Sequence, residues 1–215
     1  MSMVIKGSTL RRTRNLGDGA DEAIALLRGG ELAVSDTHAR YQEMMLRGNV
    51  FNLQAIAAAP TAYVGAAVGT PLLCIHNPSN SGMAAVLINI AIANRVAASA
   101  AGSVSFALWG AASVIPTATA TSPTNMASFV KSGSAMLGFV NTAITSGSAL
   151  SNLIMSLGTY YWATAAGAFM APGFFELNGS VILLPGNQIA IGATSALTSA
   201  TWDAVMTWEE IPYSM

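Results

Sequence analysis

The stretch from Trp202 to Glu209 reads WDAVMTWE and shows a strict period of two. Its apolar positions are Trp202, Ala204, Met206 and Trp208. Asp203, Val205, Thr207 and Glu209 alternate with them. Successive side chains of a β-strand point to opposite faces, so one face of this segment is apolar and the other is mixed. The pattern predicts an antiparallel strand with one buried face.

Similar alternation occurs in two earlier segments of the chain. In the first, Val86, Ile88, Ile90 and Ile92 alternate with Leu87, Asn89, Ala91 and Ala93. The second contains Val104, Phe106 and Leu108. We predict that both segments are buried strands, and that Val86, Ile88, Ile90 and Ile92 share one face.

Turn residues separate the predicted strands. Asn178-Gly179 between FFEL and SVILL is a two-residue hairpin signal, and Pro185-Gly186 suits the centre of a type II turn. Residues 174–193 are therefore predicted to form a meander. The segment NPSNSG, which begins at Asn77, is predicted to form a turn that leaves His76 at a strand end. Together these features predict an all-β fold of antiparallel strands.

Charge divides the chain near Gly48. Residues 1–47 hold seven of the nine basic and six of the ten acidic residues, whereas residues 50–202 hold only Arg95, Lys131 and Glu176. We therefore predict an N-terminal extension or arm at 1–47 and a sandwich domain at 48–215. Within the extension, Asp18 is predicted to cap a helix that Gly29 and Gly30 end, and a second helix or an extended arm is predicted for 35–46.

The composition excludes several classes of function. Charged residues are 9% of the chain and the net charge is −1, so self-repulsion is weak and association with other subunits is expected. No basic field is present that would bind nucleic acid. The most apolar stretch, 84–101, is interrupted by Asn89, Asn94 and Arg95, so no membrane-spanning helix is expected. The N-terminus lacks the apolar region of a secretory signal, which favours action where the protein is made.

Residues suited to catalysis are scarce. Residues 50–202 contain one histidine, one glutamate, one lysine and one arginine, so we expect no enzyme, no catalytic residue, no cofactor and no small-molecule substrate. His76 and Cys74 are two residues apart, but a metal site needs further ligands that their neighbourhood lacks, and we expect no metal. Four tryptophans, Trp109, Trp162, Trp202 and Trp208, suit a sugar-stacking platform, although core or interface packing is the stronger expectation.

Two pairs of segments resemble structural proteins of tailed bacteriophages. The first pair is ARYQEMMLRGNVF with LCIHNPSNSGMAAVLINIAIA, and the second is LNGSVILLPGNQIAI with WDAVMTWEEIPY. In such proteins the NP and SG residues before a long apolar strand, and the closing PG and WEEIP residues, look like parts of a jelly-roll sandwich.

The resemblance implies a non-enzymatic virion protein made in the cytoplasm of the host bacterium. It implies a capsid cement or decoration protein, a homotrimer on the phage head that contacts the major capsid protein and stabilises contacts between capsomers. The alternative is a head or tail fibre module that recognises host surface glycans. The charged extension 1–47 is expected to contact the shell or neighbouring trimers.

Overall fold

A computed structural model describes residues 41–59, 68–96, 102–112, 119–131, 133–141, 144–145, 152–162, 172–194 and 200–213. These residues form one short helix and thirteen strands. The elements in chain order are α1 Gln42–Leu46, β1 Val50–Ala58, β2 Val68–Gly69, β3 Leu73–His76, β4 Met83–Val96, β5 Gly102–Ala112, β6 Thr124–Asn125, β7 Leu137–Val140, β8 Ile144–Thr145, β9 Asn152–Trp162, β10 Gly173–Glu176, β11 Ile182–Leu183, β12 Asn187–Ala193 and β13 Thr201–Pro212.

Two antiparallel sheets pack against each other, which confirms the predicted all-β sandwich. The six-stranded sheet has the order β10-β4-β13-β1-β6, with β11 also paired to β4. The five-stranded sheet has the order β7-β3-β12-β5-β9. Strands β2 and β8 form a separate two-stranded sheet.

The strand order is that of a jelly roll. The eight strands that make up the two sheets' central pairs are β1, β3, β4, β5, β9, β10, β12 and β13. Counted in this order, the first pairs with the eighth, the second with the seventh, the third with the sixth and the fourth with the fifth. In this chain those pairs are β1 with β13, β3 with β12, β4 with β10, and β5 with β9. This is the arrangement that results when one long hairpin folds over into two sheets.

An aromatic cluster lies between the sheets. The ring of Trp202 from β13 makes edge contacts with Phe106 of β5 at 4.8 Å and with Tyr160 of β9 at 5.2 Å between centroids. Trp202, Ala204, Met206 and Trp208 are all buried, as their alternation predicts, and so are Val104, Phe106 and Leu108. Large buried apolar side chains of this kind dominate the stability of a core.

A bulge in β4 changes the face that its first residues occupy. Asn89 pairs with Thr207 and Leu87 with Trp208, which leaves Ile88 as an extra residue. Leu87 consequently joins the core, where it is fully buried, and Val86 is only partly buried. Val86 therefore does not share the core face of Ile90 and Ile92 as predicted, because one extra residue reverses the alternation. Ile88 is buried, at 7% exposed, as the prediction of a buried strand requires.

The turn at Asn178-Gly179 forms, but it does not make a hairpin. Both residues have positive φ, 50° and 83°, and the Ser180 N–H donates to the Leu177 carbonyl at 2.9 Å. The strands on either side, β10 and β11, both pair with β4 rather than with each other. The predicted meander is thus wrong. The turn connects two short strands that pair with the same edge of β4, and it lies opposite the bulge at Ile88. The Ile88 carbonyl accepts hydrogen bonds from the backbone N–H groups of Leu177 and Asn178.

Two other predicted turns are confirmed. Gly186 has φ 83° and the Asn187 N–H donates to the Leu184 carbonyl, as a type II turn centred on Pro185-Gly186 requires. The NPSNSG segment connects β3 to β4. Its first residue, Asn77, is fully buried, and its amide group donates to the carbonyls of Met83 and Leu183 at 2.8 and 3.0 Å.

The predicted second helix is present in its described part as α1, which ends before Gly48 at φ 75°. Residues 35–40 and the helix predicted after Asp18 lie outside the described residues. Glu43–Met215 forms one compact unit, and the extension at 1–47 stays a prediction. Within the described ranges, no helix has the length and apolar character that crossing a bilayer demands.

Candidate functional site

Groups that could perform chemistry do not gather in the part of the chain that the structure describes. Within those ranges, no three side chains of His, Cys, Asp or Glu lie close enough together to hold a metal ion. The residues singled out in the sequence, Cys74 and His76, both lie on β3, and His76 is the last residue of that strand as predicted.

His76 belongs to a buried polar pair on the outer face of the five-stranded sheet, the face turned away from the core. It pairs across the ladder with Gln188 of β12, and both side chains are 1% exposed. Neither ring nitrogen of His76 and neither amide atom of Gln188 has a hydrogen-bond partner. Such unpaired buried groups each cost about 1–3 kcal/mol of stability. The sequence analysis did not identify Gln188.

Cys74 lies beside His76 on the same outer face but in apolar surroundings. Its neighbours in the cluster are Phe139, Ala190 and Ala111. Burial raises the pKa of the Cys74 thiol far above its ordinary value, so the sulfur stays protonated and unreactive. A neutral thiol and one imidazole make a packed structural surface rather than a nucleophile with a base.

Protonation of His76 is expected to destabilise the fold. Burial lowers the pKa of His76 below its ordinary value, so the unfolded chain binds the proton more readily than the folded chain. Stability should therefore fall as the pH drops below about 6.5, the unperturbed value for histidine. We expect His76→Leu to flatten the decline in urea midpoint between pH 7 and pH 5. His38 is present in both the wild type and the variant. An unchanged pH dependence in the variant would therefore contradict the assignment of this decline to His76.

Glu210 is buried and satisfied by three donors. Its carboxylate accepts from the Ser134 hydroxyl, from the Ala135 N–H at 2.8 Å and from the Trp208 indole N–H at 3.1 Å. The side chain is 2% exposed. These contacts connect the segment before β7 to the last strand, so the group is structural. Glu210 lies two residues after Trp208 on β13, so the alternation that predicts a buried Trp208 also predicts a buried Glu210.

A small cleft lies beside that segment. It has a volume of about 110 Å³ and is lined by Ala120, Thr121, Ser122, Pro123, Gly133, Ser134, Met136 and Leu137. Ligand sites for small molecules usually enclose roughly 300–1,000 Å³. None of the lining residues is ionisable.

The three tryptophans whose side chains the structure describes do not form an exposed platform. Trp202 and Trp208 are fully buried in the core, and Trp109 is partly buried with its indole nitrogen unpaired. The side chain of Trp162 lies outside the described residues. Sugar stacking on Trp202 or Trp208 is therefore excluded, and the packing expected from the sequence is confirmed for these two.

Exposed apolar side chains are a more prominent surface feature than the tryptophans. Four of them lie on the outer face of the six-stranded sheet, at positions that alternate with core residues: Ile56, Phe174, Ile182 and Ile211. Ala91 and Val205, between them, are partly buried. The same face also carries charged side chains. Arg95 and Asp203 form a salt bridge at 2.9 Å, and Glu176 and Glu209 add two carboxylates.

Comparison with models of known protein families, with curated proteins and with solved structures finds no match to this chain.

Proposed function

We propose that this chain is a non-enzymatic structural protein of a tailed-phage particle, a decoration protein that assembles as homotrimers on the capsid and stabilises contacts between capsomers. The observation that carries the proposal is the exposure of four large apolar side chains on the outer face of the six-stranded sheet, namely Ile56, Phe174, Ile182 and Ile211. Apolar sheet faces of this kind are buried when subunits associate.

Composition supports the same proposal. A chain with 9% charged residues and a net charge of −1 offers little repulsion between copies. The scarcity of ionisable groups in the described sandwich also favours a binding role over a catalytic one. The resemblance to phage structural proteins supplies the biological setting, namely the virion surface.

The proposal predicts a trimer in solution. Light scattering at several dilutions is expected to give three times the chain mass of 22.0 kDa. A variant that lacks residues 1–30 should remain trimeric, at three times its own shorter chain mass, and should lose attachment to capsids of the phage that encodes the chain. A monomer at all concentrations would refute the trimer, and unchanged capsid occupancy by the truncated chain would refute the role of the extension.

A glycan-binding fibre module is the second candidate. It is favoured by three exposed aromatic side chains, Phe129, Tyr161 and Phe174. Aromatic rings that face solvent can stack on the apolar faces of sugars. Binding to a glycan array that is lost when one of these residues is changed to alanine would support this candidate over the decoration role.

A further inference from the structure

The turn that follows β6 ends in an exposed apolar tip, residues 127–131. Phe129 is 78% exposed and Val130 is 54% exposed, and the neighbouring Lys131 is exposed as well. Phe129 also has a φ of 59°, a left-handed backbone conformation that glycine or asparagine adopts far more readily than a bulky residue does. Neither burial nor backbone preference therefore accounts for a phenylalanine at this position.

The tip is held in one backbone conformation by Asn125, the last residue of β6. Its side-chain oxygen accepts hydrogen bonds from the backbone N–H groups of Ala127 and Ser128 at 3.0 and 3.1 Å. The Phe129 N–H donates to the Asn125 carbonyl at 2.8 Å, and the Asn125 N–H donates to the Val130 carbonyl at 2.9 Å. An aromatic residue on a fixed backbone loses little conformational entropy on binding, so Phe129 is preorganised as an anchor.

The tip lies at the end of the sandwich where β1 begins. The side-chain amide of Asn125 donates to the Gly48 carbonyl at 2.5 Å. Leu46, two residues before Gly48, is 76% exposed. Phe129 and Leu46 are the two most exposed large apolar side chains of the described residues, and this one hydrogen bond joins the segments that carry them. Exposed apolar surface is therefore concentrated at this end.

Charge indicates the kind of surface that fits the tip. Lys131 is the only ionisable residue in the sequence from 119 to 141, so no carboxylate of this segment neutralises it. The side-chain amide and oxygen of Asn125 are engaged within the turn and with Gly48, so they are not available to bind the hydroxyl groups of a sugar. An exposed aromatic and aliphatic pair beside a cation is matched by an apolar pocket with acidic side chains at its rim.

We propose that the 127–131 tip inserts Phe129 into an apolar pocket with an acidic rim on the major capsid protein. This inference rests on the proposed decoration role and names a part of the sandwich that meets the shell. The extension at 1–47, which is expected to contact the shell, joins the sandwich at Gly48, and the Gly48 carbonyl is bonded to the turn that carries the tip. Extension and tip would therefore reach the shell from the same end of the sandwich.

Sedimentation with capsids of the phage that encodes the chain, assembled without it, measures the contribution of the tip. The full-length wild type and Phe129→Ala are titrated against these capsids. The variant is expected to bind about tenfold or more weakly, as loss of an aromatic anchor in an interface does. Tyr161→Ala is the matched control, because Tyr161 is 72% exposed but lies on β9. It should bind as the wild type does.

Phe129→Gly separates binding from folding. Glycine adopts the φ of 59° without strain, so this variant is expected to have a urea midpoint no lower than that of Phe129→Ala and to bind capsids as weakly. Capsid binding by both variants at the wild-type level would overturn the proposal. A fall of either variant below the trimer mass would place Phe129 in the subunit contact and would overturn it as well.

Lys131→Glu tests the acidic rim. Reversal of the charge is expected to weaken capsid binding more than Lys131→Gln does. The difference should shrink as the salt concentration rises, because salt screens the charges of exposed side chains. Equal affinities of Lys131→Glu and the wild type at low salt would refute the acidic rim.

The same titrations distinguish this inference from the proposed function. Failure of the wild type to sediment with capsids would refute the decoration role and the tip contact together. Capsid binding that the wild type and the Phe129 variants share equally would refute the tip contact alone. Loss of glycan binding in Phe129→Ala, with capsid binding unchanged, would overturn the proposal in favour of the fibre module.

Discussion

Replacement of Trp208 with alanine is expected to lower the free energy of unfolding by about 3–5 kcal/mol. The side chain is fully buried, its ring lies 6.4 Å from that of Phe51, and its indole N–H donates to Glu210. Truncation would leave a cavity between the sheets and would remove one of the hydrogen-bond donors to the Glu210 carboxylate. Denaturant titration of the purified chain, supported by a thermal melt, measures the loss. For a domain of this size each kcal/mol lowers the Tm by roughly 2–4 °C.

Phe129→Ala is the matched control for the loss of an aromatic ring. Phe129 is 78% exposed and is not one of the apolar residues of the proposed subunit contact, so its removal should change the free energy of unfolding by roughly 0.5 kcal/mol or less. A small effect for Trp208→Ala, comparable to that of Phe129→Ala, would contradict the buried position of Trp208 in the chain.

Glu210→Ala is expected to cost about 3 kcal/mol. The substitution removes the acceptor for Ser134, for the Ala135 N–H and for the Trp208 indole, and buried donors without partners are costly. Relief from burying a carboxylate offsets part of the loss. Equilibrium unfolding in urea measures the change. Glu210→Gln, which keeps one carbonyl acceptor, should lose less.

A double-mutant cycle tests whether Glu210 and Trp208 act together. Because the two side chains share a hydrogen bond, the combined variant should lose less stability than the sum of the single variants. Glu176→Ala, an exposed carboxylate on β10, is the control for simple loss of charge and should have little effect. Strict additivity of the two core variants would show that the shared hydrogen bond contributes nothing.

The regular parts of the fold were predictable from local pattern. The alternation from Trp202 to Trp208 placed four side chains in the core, because a strand without bulges has no other way to bury them. The same reasoning failed at Val86. There a single extra residue in β4 reversed the alternation, and the carbonyl of that residue, Ile88, bonds backbone donors from a segment about ninety residues later.

Chemistry at the candidate site was predictable only in outline. The scarcity of ionisable residues in 50–202 was visible in the sequence, and His76 was found at the strand end predicted for it. Its pairing with Gln188 was not predictable, because it depends on the register between two strands more than a hundred residues apart. Glu210 could have been found by extending the alternation of β13 by one more step.

The pairing of β1 with β13 constrains how the protein can be made. Val50 lies opposite Glu209, so the central ladder of the six-stranded sheet joins segments from the two ends of the described sandwich. The ladder cannot form on the ribosome until residues 201–212 have been synthesised. Until then the apolar faces of β1 and β4 lack their common neighbour, and such exposed strands are prone to aggregation. We therefore expect the nascent chain to depend on chaperones until translation of the sandwich is finished.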